Sequence, residues 1–367
     1  MSGRDPYRWR VIDTGLRRAA ENMALNRAVL EAHEQGAIPH TLRFLSFEPS
    51  ALLGFHQNVE QELRLDYCRE QGIAVQRRIT GGGALYFDQT QIGWELYLDK
   101  RFLGTADMTE ISRRICEAAA DGIRRLGVDA RFRPRNDIEV DGRKISGTGG
   151  AFDGDSILFQ GTLLVEFDVE KMLRVLKIPA EKLSDKAIAS ARERVANLAE
   201  LLGTAPPLSE VREHMTAAFA AGFGVEFEPA TALSDVEQAL YREALAEIDT
   251  DEWVYQHNRP DSDAPVRVGV HRCSGGLMRA QVALDQPRGR IKQLWITGDF
   301  FVNPRRMVPD LEAALRDTAV TELRANVQCF FDGYPVEMLM LQRDDFIAVI
   351  EAALASVEPG VHAGGAG

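Results

Sequence analysis

The run Arg77-Arg78-Ile79-Thr80-Gly81-Gly82-Gly83-Ala84-Leu85-Tyr86-Phe87-Asp88 carries residue types suited to holding anions. Three consecutive glycines bury no side chain and cost backbone entropy, so packing does not explain them. They let the backbone approach a ligand closely and offer N–H groups to it. Arg77 and Arg78 add fixed positive charge. Such a loop suits a phosphate and a carboxylate held together, although alone it also reads as a flexible hairpin loop with solvated arginines.

Lys144 is the second element. It follows Asn136-Asp137 and the turn Asp141-Gly142, and precedes Ser146-Gly147-Thr148-Gly149-Gly150. A turn lysine is usually a solvated charge. Here it lies between a carboxylate suited to a metal and another glycine-rich segment. Joining a carboxylate to an α-phosphate brings two anions together, and a bridging cation stabilises the charge that develops. Mg²⁺ on the phosphates does similar work. Two further segments are weaker alone: Gln160-Gly161-Thr162-Leu163-Leu164 reads as a core strand, and 186–198 as a charged helix or loop.

The elements that must position these residues follow from periodicity. Leu25, Ala28, Val29 and Ala32 predict a helix over 21–34, stopped by Gly36. Two strands are expected in 41–54, and others at 75–78 and 84–87. Ile92, Trp94, Leu96 and Leu98 alternate at strand spacing. A helix is predicted over 109–126, then a hairpin over 138–146 with a type I′ turn, then a strand over 157–167. Helices at 208–221 and 234–247 follow. Beyond a polar loop at 257–265 come strands at 266–272, 277–284 and 291–297, then helices at 309–330 and 343–356. The N-terminal Met1–Arg10 is polar, and the tail 360–367 is expected to be disordered. The fold class expected is α+β, with a catalytic domain over 1–248 and a smaller α+β accessory domain over 249–367.

Composition narrows the function. The 367 residues are 45% hydrophobic, enough for two cores, and the net charge of −12 argues against a nucleic-acid binder. Cys68, Cys116, Cys273 and Cys329 lie far apart, which gives no zinc signature and suits a reducing cytoplasm. Neither a secretory h-region nor a membrane-spanning run is present, so the cytoplasm is the expected location, and a monomer is expected.

Taken in order, the four segments resemble the lipoate–protein ligase A family, of the biotin/lipoate ligase group, whose core is similar to class II aminoacyl-tRNA synthetases. RRITGGGALYFD resembles RRxSGGGxVxHD. NDIEVDGRKISGTG, FQGTLL and KAIASARERVANL resemble the family's lysine hairpin, Gly-Thr strand and adenylate-binding segment. Gly54-Phe55-His56-Gln57-Asn58 resembles the stretch that opens the acyl pocket. The likeness is strong over about 1–205 and weaker near Asp251-Glu252-Trp253 and beyond.

The resemblance implies ATP-dependent activation of lipoate to its adenylate, then transfer to a lysine of a lipoyl-domain or lipoate-binding acceptor protein. It implies that Arg78, Gly83, Ala84, Leu85, Tyr86, Asn136, Asp137, Lys144, Ala189, Ser190, Arg192 and Arg194 contact ATP or the adenylate. Asp137 would reach Mg²⁺. Ser46, Gly81, Gly82, Gly83, Phe87, Lys144, Gly147, Gln160, Gly161 and Thr162 would form the lipoate site, and Lys144 would be catalytic. The second domain would move between half-reactions. Phe87 and Gln160 replace family histidines, and Ser46 stands where a family tryptophan often lines the pocket.

The nearest rival is an octanoyl or lipoyl transferase of the same fold, which carries the acyl group on a cysteine. No cysteine stands in 131–135 or 157–160, where the subfamilies place it. Cys116 reads as buried helix core. A non-catalytic binding module is disfavoured by Lys144, a biotin ligase by the missing GRGRxGRxW loop. There is no Walker or dinucleotide fingerprint. Arg131, Arg133, Arg135 and Arg143 form a basic cluster that would steer an acidic acceptor, or equally a solvated or phosphate-facing patch.

Overall fold

The computed structural model describes residues 7–105, 107–134, 136–177, 185–258 and 266–356. Contacts divide the chain into two compact units. The first holds Met1–Leu53, Glu60–Ile79 and Ala84–Val254; the second holds Gly54–Val59, Thr80–Gly83 and Tyr255–Gly367. Both are mixed α+β, the expected fold class.

The first unit contains β1 (Arg8–Arg17), β2 (Thr41–Phe47), β3 (Ser50–Leu53), β4 (Ala74–Arg77), β5 (Leu85–Phe87), β6 (Gln91–Asp99), β7 (Ala130–Arg133), β8 (Asp137–Val140), β9 (Arg143–Asp153), β10 (Ser156–Leu164) and β11 (Glu226–Ala230). Eight form one sheet in the order β11-β1-β2-β6-β10-β9-β8-β7, and β4-β3-β5 form another. The run from β2 to β7 is antiparallel, whereas β1 pairs in parallel with both β2 and β11. The arginines of β1 look solvated in the sequence. Arg10 is in fact buried, its Nη1 donating to Glu237 Oε2 at 2.8 Å.

β6 shows why the large sheet is rigid. Ile92, Trp94, Leu96 and Leu98 join a core with helices Met108–Arg124 and Leu208–Phe223. The alternate residues are buried too, under helix Ala19–Glu34. There Arg43 Nη1 donates to Glu95 Oε2 at 2.9 Å and Arg43 Nη2 to Asn22 Oδ1 at 2.6 Å. Such a network holds together because each charge has a partner.

In the second unit β12 (Val266–Cys273), β13 (Gly276–Asp285) and β14 (Arg290–Gly298) form an antiparallel sheet, and β15 (Val302–Asn303) pairs with β16 (Glu337–Met338). The helix predicted over 309–330 is instead Met307–Ala314 and Leu323–Gly333, separated by irregular chain and a short 3₁₀ turn. The break has a local cause. Asp317 takes a left-handed φ of 59°, and its N–H donates to Ile291 O at 2.7 Å while Ile291 N–H donates to Thr318 O at 2.9 Å. Pairing with β14 diverts the backbone bonds a continuous helix needs. The predicted tail at 360–367 lies outside the described residues.

Candidate active site

The lysine hairpin is built as its sequence demands. Asp141 and Gly142 have φ of 51° and 76°, the left-handed pair that Asp-Gly supplies at a type I′ turn. The register shifts between Ile138 and Glu139, a bulge-like irregularity. Lys144 Nζ lies 2.7 Å from Asp137 Oδ1. The other oxygen of Asp137 takes Arg133 Nη2, also at 2.7 Å. Burial pushes the Asp137 carboxyl up, but Lys144 and Arg133 outweigh it and hold the group below its ordinary range.

Gly147 is required here. A Cβ on it would lie 2.6 Å from Lys144 Nζ and 2.7 Å from its Cε, so the lysine crosses the space a side chain would fill. Gly147 N–H donates to Thr162 Oγ1 at 3.4 Å. Asn136 closes the hairpin: its Nδ2 donates to Thr148 O at 2.8 Å and its carbonyl accepts from Thr148 N–H at 2.8 Å.

Residues 194–196 meet the lysine through backbone. Helix Asp185–Arg192 ends so that Lys144 N–H donates to Arg194 O at 2.8 Å and Ala196 N–H donates to Lys144 O at 2.8 Å. Ala189, Arg192 and Arg194 are exposed and Ser190 is half-buried. Arg192 Nη2 reaches Glu170 Oε2 at 3.4 Å. Thus Asn136, Asp137, Lys144, Gly147, Thr162 and Arg194 come together within the first unit.

The glycine triplet is placed differently. Gly81, Gly82 and Gly83 cluster with the second unit. Contrary to expectation, packing explains two of them. A Cβ on Gly81 would lie 2.3 Å from Phe300 O. Gly82 has φ of 93° and its N–H donates to Phe300 O at 3.4 Å. A Cβ on Gly54 would lie 1.8 Å from Gly82 O. Only Gly83 is exposed, with the Asp299 side chain beside it.

The arginines before the triplet also separate. Arg77 is fully buried and donates from Nη2 to Val254 O at 2.6 Å, while Trp253 Nε1 donates to Arg77 O at 3.1 Å. It anchors the chain end of the first unit rather than charging the loop. Arg78 is buried and its Nη1 donates to Leu52 O at 3.0 Å. Burial pushes its guanidinium down to about 10.

Ala84 and Leu85 are half-buried, whereas Tyr86 is buried with its hydroxyl donating to Asp88 Oδ2 at 2.8 Å. Phe87 is 2% exposed and packs on Phe47 with ring centroids 4.5 Å apart. Ser46 is buried on β2, its carbonyl accepting from Asn22 Nδ2 at 2.9 Å. Gln160 and Gly161 sit on β10 opposite Glu95 and Trp94. A Cβ on Gly161 would lie 2.2 Å from the Trp94 ring, so this glycine seats the indole.

Asp137 stands between two cations, with Arg133 Nη2 at 2.7 Å from Oδ2 and Lys144 Nζ at 2.7 Å from Oδ1. The basic cluster is neutralised among its described members: Arg131 pairs with Asp129 at 2.7 Å, Arg133 with Asp137 at 2.7 Å and Arg143 with Glu200 at 2.6 Å. Arg135 lies outside the described residues. The part of Arg133 in holding Asp137 was missed; its four-residue spacing from Asp137 was the available signal.

The cysteines fall as their contexts suggest. Cys68 and Cys116 are buried in the first unit, Cys273 is half-buried and Cys329 exposed in the second. Burial pushes the Cys116 thiol up to about 12, although Thr148 Oγ1 lies 3.6 Å away. No described helix is long and apolar enough to cross a membrane.

Comparison with known proteins agrees with this architecture. Residues 18–220 match the family model for the lipoyl protein ligase A/B catalytic domain. Lipoate-protein ligase A subunit 1 of Thermoplasma acidophilum is 32% identical over 63% of this chain and 90% of its own length. Octanoyltransferase LipM of Kyrpidia tusciae is 29% identical over 68% of this chain and 98% of its own. Among solved structures, a lipoate-protein ligase A bound with ATP superposes with a TM-score of 0.59 at 28% identity, covering 68% of this chain and 98% of that one. The chain belongs to the lipoyl protein ligase A/B catalytic-domain family.

Proposed function

We propose that this chain is an ATP-dependent lipoate–protein ligase that forms lipoyl-AMP, releases pyrophosphate and passes the lipoyl group to an acceptor lysine. The observation that carries the reading is the Lys144 side chain, 39% exposed and aimed by Asp137 at 2.7 Å across Gly147. A cation so fixed, yet open to solvent, suits the junction between an α-phosphate and a carboxylate. Once the adenylate exists, the same ammonium polarises its carbonyl toward an incoming amine. The segment Ala189–Arg194, hydrogen-bonded to the Lys144 backbone, is the candidate cover over the nucleotide. Arg78 is the candidate phosphate contact. No step is assigned to Mg²⁺. The acceptor is a lipoyl-type domain met in the cytoplasm, and the ligase acts as a monomer.

The second reading, an octanoyltransferase, is favoured by the names of the LipM relatives. The cysteines favour the ligase. A transferase needs an accessible thiolate in the unit that carries Lys144, where Cys68 and Cys116 are both buried with thiols pushed up by burial; half-buried Cys273 and exposed Cys329 belong to the second unit. The test supplies purified chain with a lipoyl domain and either ATP plus lipoate or an octanoylated carrier without ATP. Pyrophosphate release and a lipoyl mass shift in the first arm support the ligase. Acyl transfer only in the second, with a trapped thioester, overturns it.

A further inference from the structure

The end of β12 and the start of the last helix bring together three donors unconnected with the acyl site. β12 alternates, so Gly269, His271 and Cys273 share one face. That face meets helix Arg343–Ala355: a Cβ on Gly269 would lie 2.2 Å from Ala353 N. Strand and helix run in opposite directions, so the first helical turn reaches His271. His271 Nε2 lies 2.8 Å from Asp345 Oδ1. Asp345 is itself fixed, its Oδ2 accepting from Gln342 N–H at 2.8 Å. Cys273 Sγ lies 3.6 Å from Gly276 O, with the Asp345 carboxyl beside the same thiol. One ligand atom from each of His271, Cys273 and Asp345 lies within 4.8 Å of the others.

We propose that His271, Cys273 and Asp345 bind one Zn²⁺ ion, which pins the end of β12 to the last helix. The donor set selects the metal. A thiolate with an imidazole and a carboxylate suits zinc, whereas Mg²⁺ and Ca²⁺ take oxygen ligands alone. Zn–S bonds of ~2.3 Å and Zn–N or Zn–O bonds of ~2.0–2.2 Å place tetrahedral ligands roughly 3.3–3.7 Å apart. The three donors already lie within 4.8 Å of one another, and His271 and Asp345 part from 2.8 Å as the ion replaces their hydrogen bond. Binding converts the Cys273 thiol to a zinc thiolate, and its proton leaves to solvent. The His271 and Asp345 side chains are 29% and 19% exposed, which leaves water able to take the fourth position.

The test uses the full chain, stripped with chelator and reloaded with Co²⁺ as a spectroscopic probe or with Zn²⁺. Expected are one retained equivalent, a thiolate-to-cobalt charge-transfer band, and a rise in thermal midpoint with Zn²⁺. Cys273→Ser abolishes the band and weakens Zn²⁺ binding on the order of 100-fold, the scale at which even supporting groups act. Asp345→Asn loses the Zn²⁺-dependent midpoint rise, and Cys329→Ser keeps every signal. Circular dichroism of the apo variants separates lost binding from lost folding, and His271→Gln supplies a second ligand variant. Failure to retain metal, or retention unchanged in both Cys273→Ser and His271→Gln, overturns the site. Acyl ligation plays no part in these readouts.

Discussion

Lys144 Nζ and Asp137 Oδ1 face each other at 2.7 Å across a hairpin whose register shifts between Ile138 and Glu139. Arg133 takes the other oxygen of that carboxylate at 2.7 Å and Glu139 at 3.1 Å, so the ammonium is fixed in a cluster of two cations and two carboxylates.

Lys144→Ala is expected to lower lipoate-dependent pyrophosphate release by on the order of 100- to 1,000-fold, the scale of a lost charge-stabilising group. The same change strips half-buried Asp137 of its main cationic partner, so the denaturation midpoint should also fall. Single-turnover pyrophosphate measurements beside denaturant curves check both halves; near-normal release removes Lys144 from the chemistry.

Asp137→Asn should blunt adenylation and cost stability in a pH-dependent way. The folded carboxyl is held below its unfolded value of ~3.9, so its stabilising contribution is complete above that value and fades as pH falls through the depressed one. The wild-type advantage over the variant should therefore be flat from pH 7 to 5 and shrink below about 4. Urea midpoints across that range decide it; an advantage that grows on acidification contradicts the pairing.

Gly147→Ala and Gly161→Ala should separate chemistry from packing. At Gly147 the new methyl meets the flexible end of Lys144, so activity falls, by on the order of 100-fold for a displacement of about 1 Å, with little change in stability. At Gly161 it meets a fully buried indole ring, so overpacking should cost roughly 1–3 kcal/mol. Paired urea titrations and initial rates on the two variants test this division.

Iodoacetamide at pH 8 should label Cys329 quickly and Cys116 only after unfolding. Cys329 is exposed, whereas Cys116 is buried and its thiol pushed up to about 12. Peptide mass mapping reads the order. Rapid labelling of native Cys116 with loss of activity would revive the transferase reading.

The elements with clean periodicity were legible: helix Ala19–Glu34, the β8–β9 hairpin and its type I′ turn, and the three strands of the second unit. What escaped depends on partners far away in sequence. The strand character of β1 is hidden because Arg10 looks solvated until Glu237 is seen beside it. The helix break at Asp317 follows from pairing with Ile291. At the site, motif order placed Lys144 and Asp137 on one hairpin, but not the register shift and Arg133 bond that set them against each other. The triplet was read as ligand-facing, yet Gly81 and Gly82 answer to Phe300, a residue no local pattern connects to them.

That last contact has a consequence for synthesis on the ribosome. Gly82 and its partner Phe300 belong to one compact unit, yet most of the first unit is translated between them. At ~5–20 residues per second the interval lasts roughly 10–40 s. During it the segments 54–59 and 80–83 leave the tunnel with their C-terminal partners not yet made. The nascent chain must therefore hold these stretches in waiting while its large sheet assembles, and a stall before Phe300 would leave the Gly82 N–H without its acceptor.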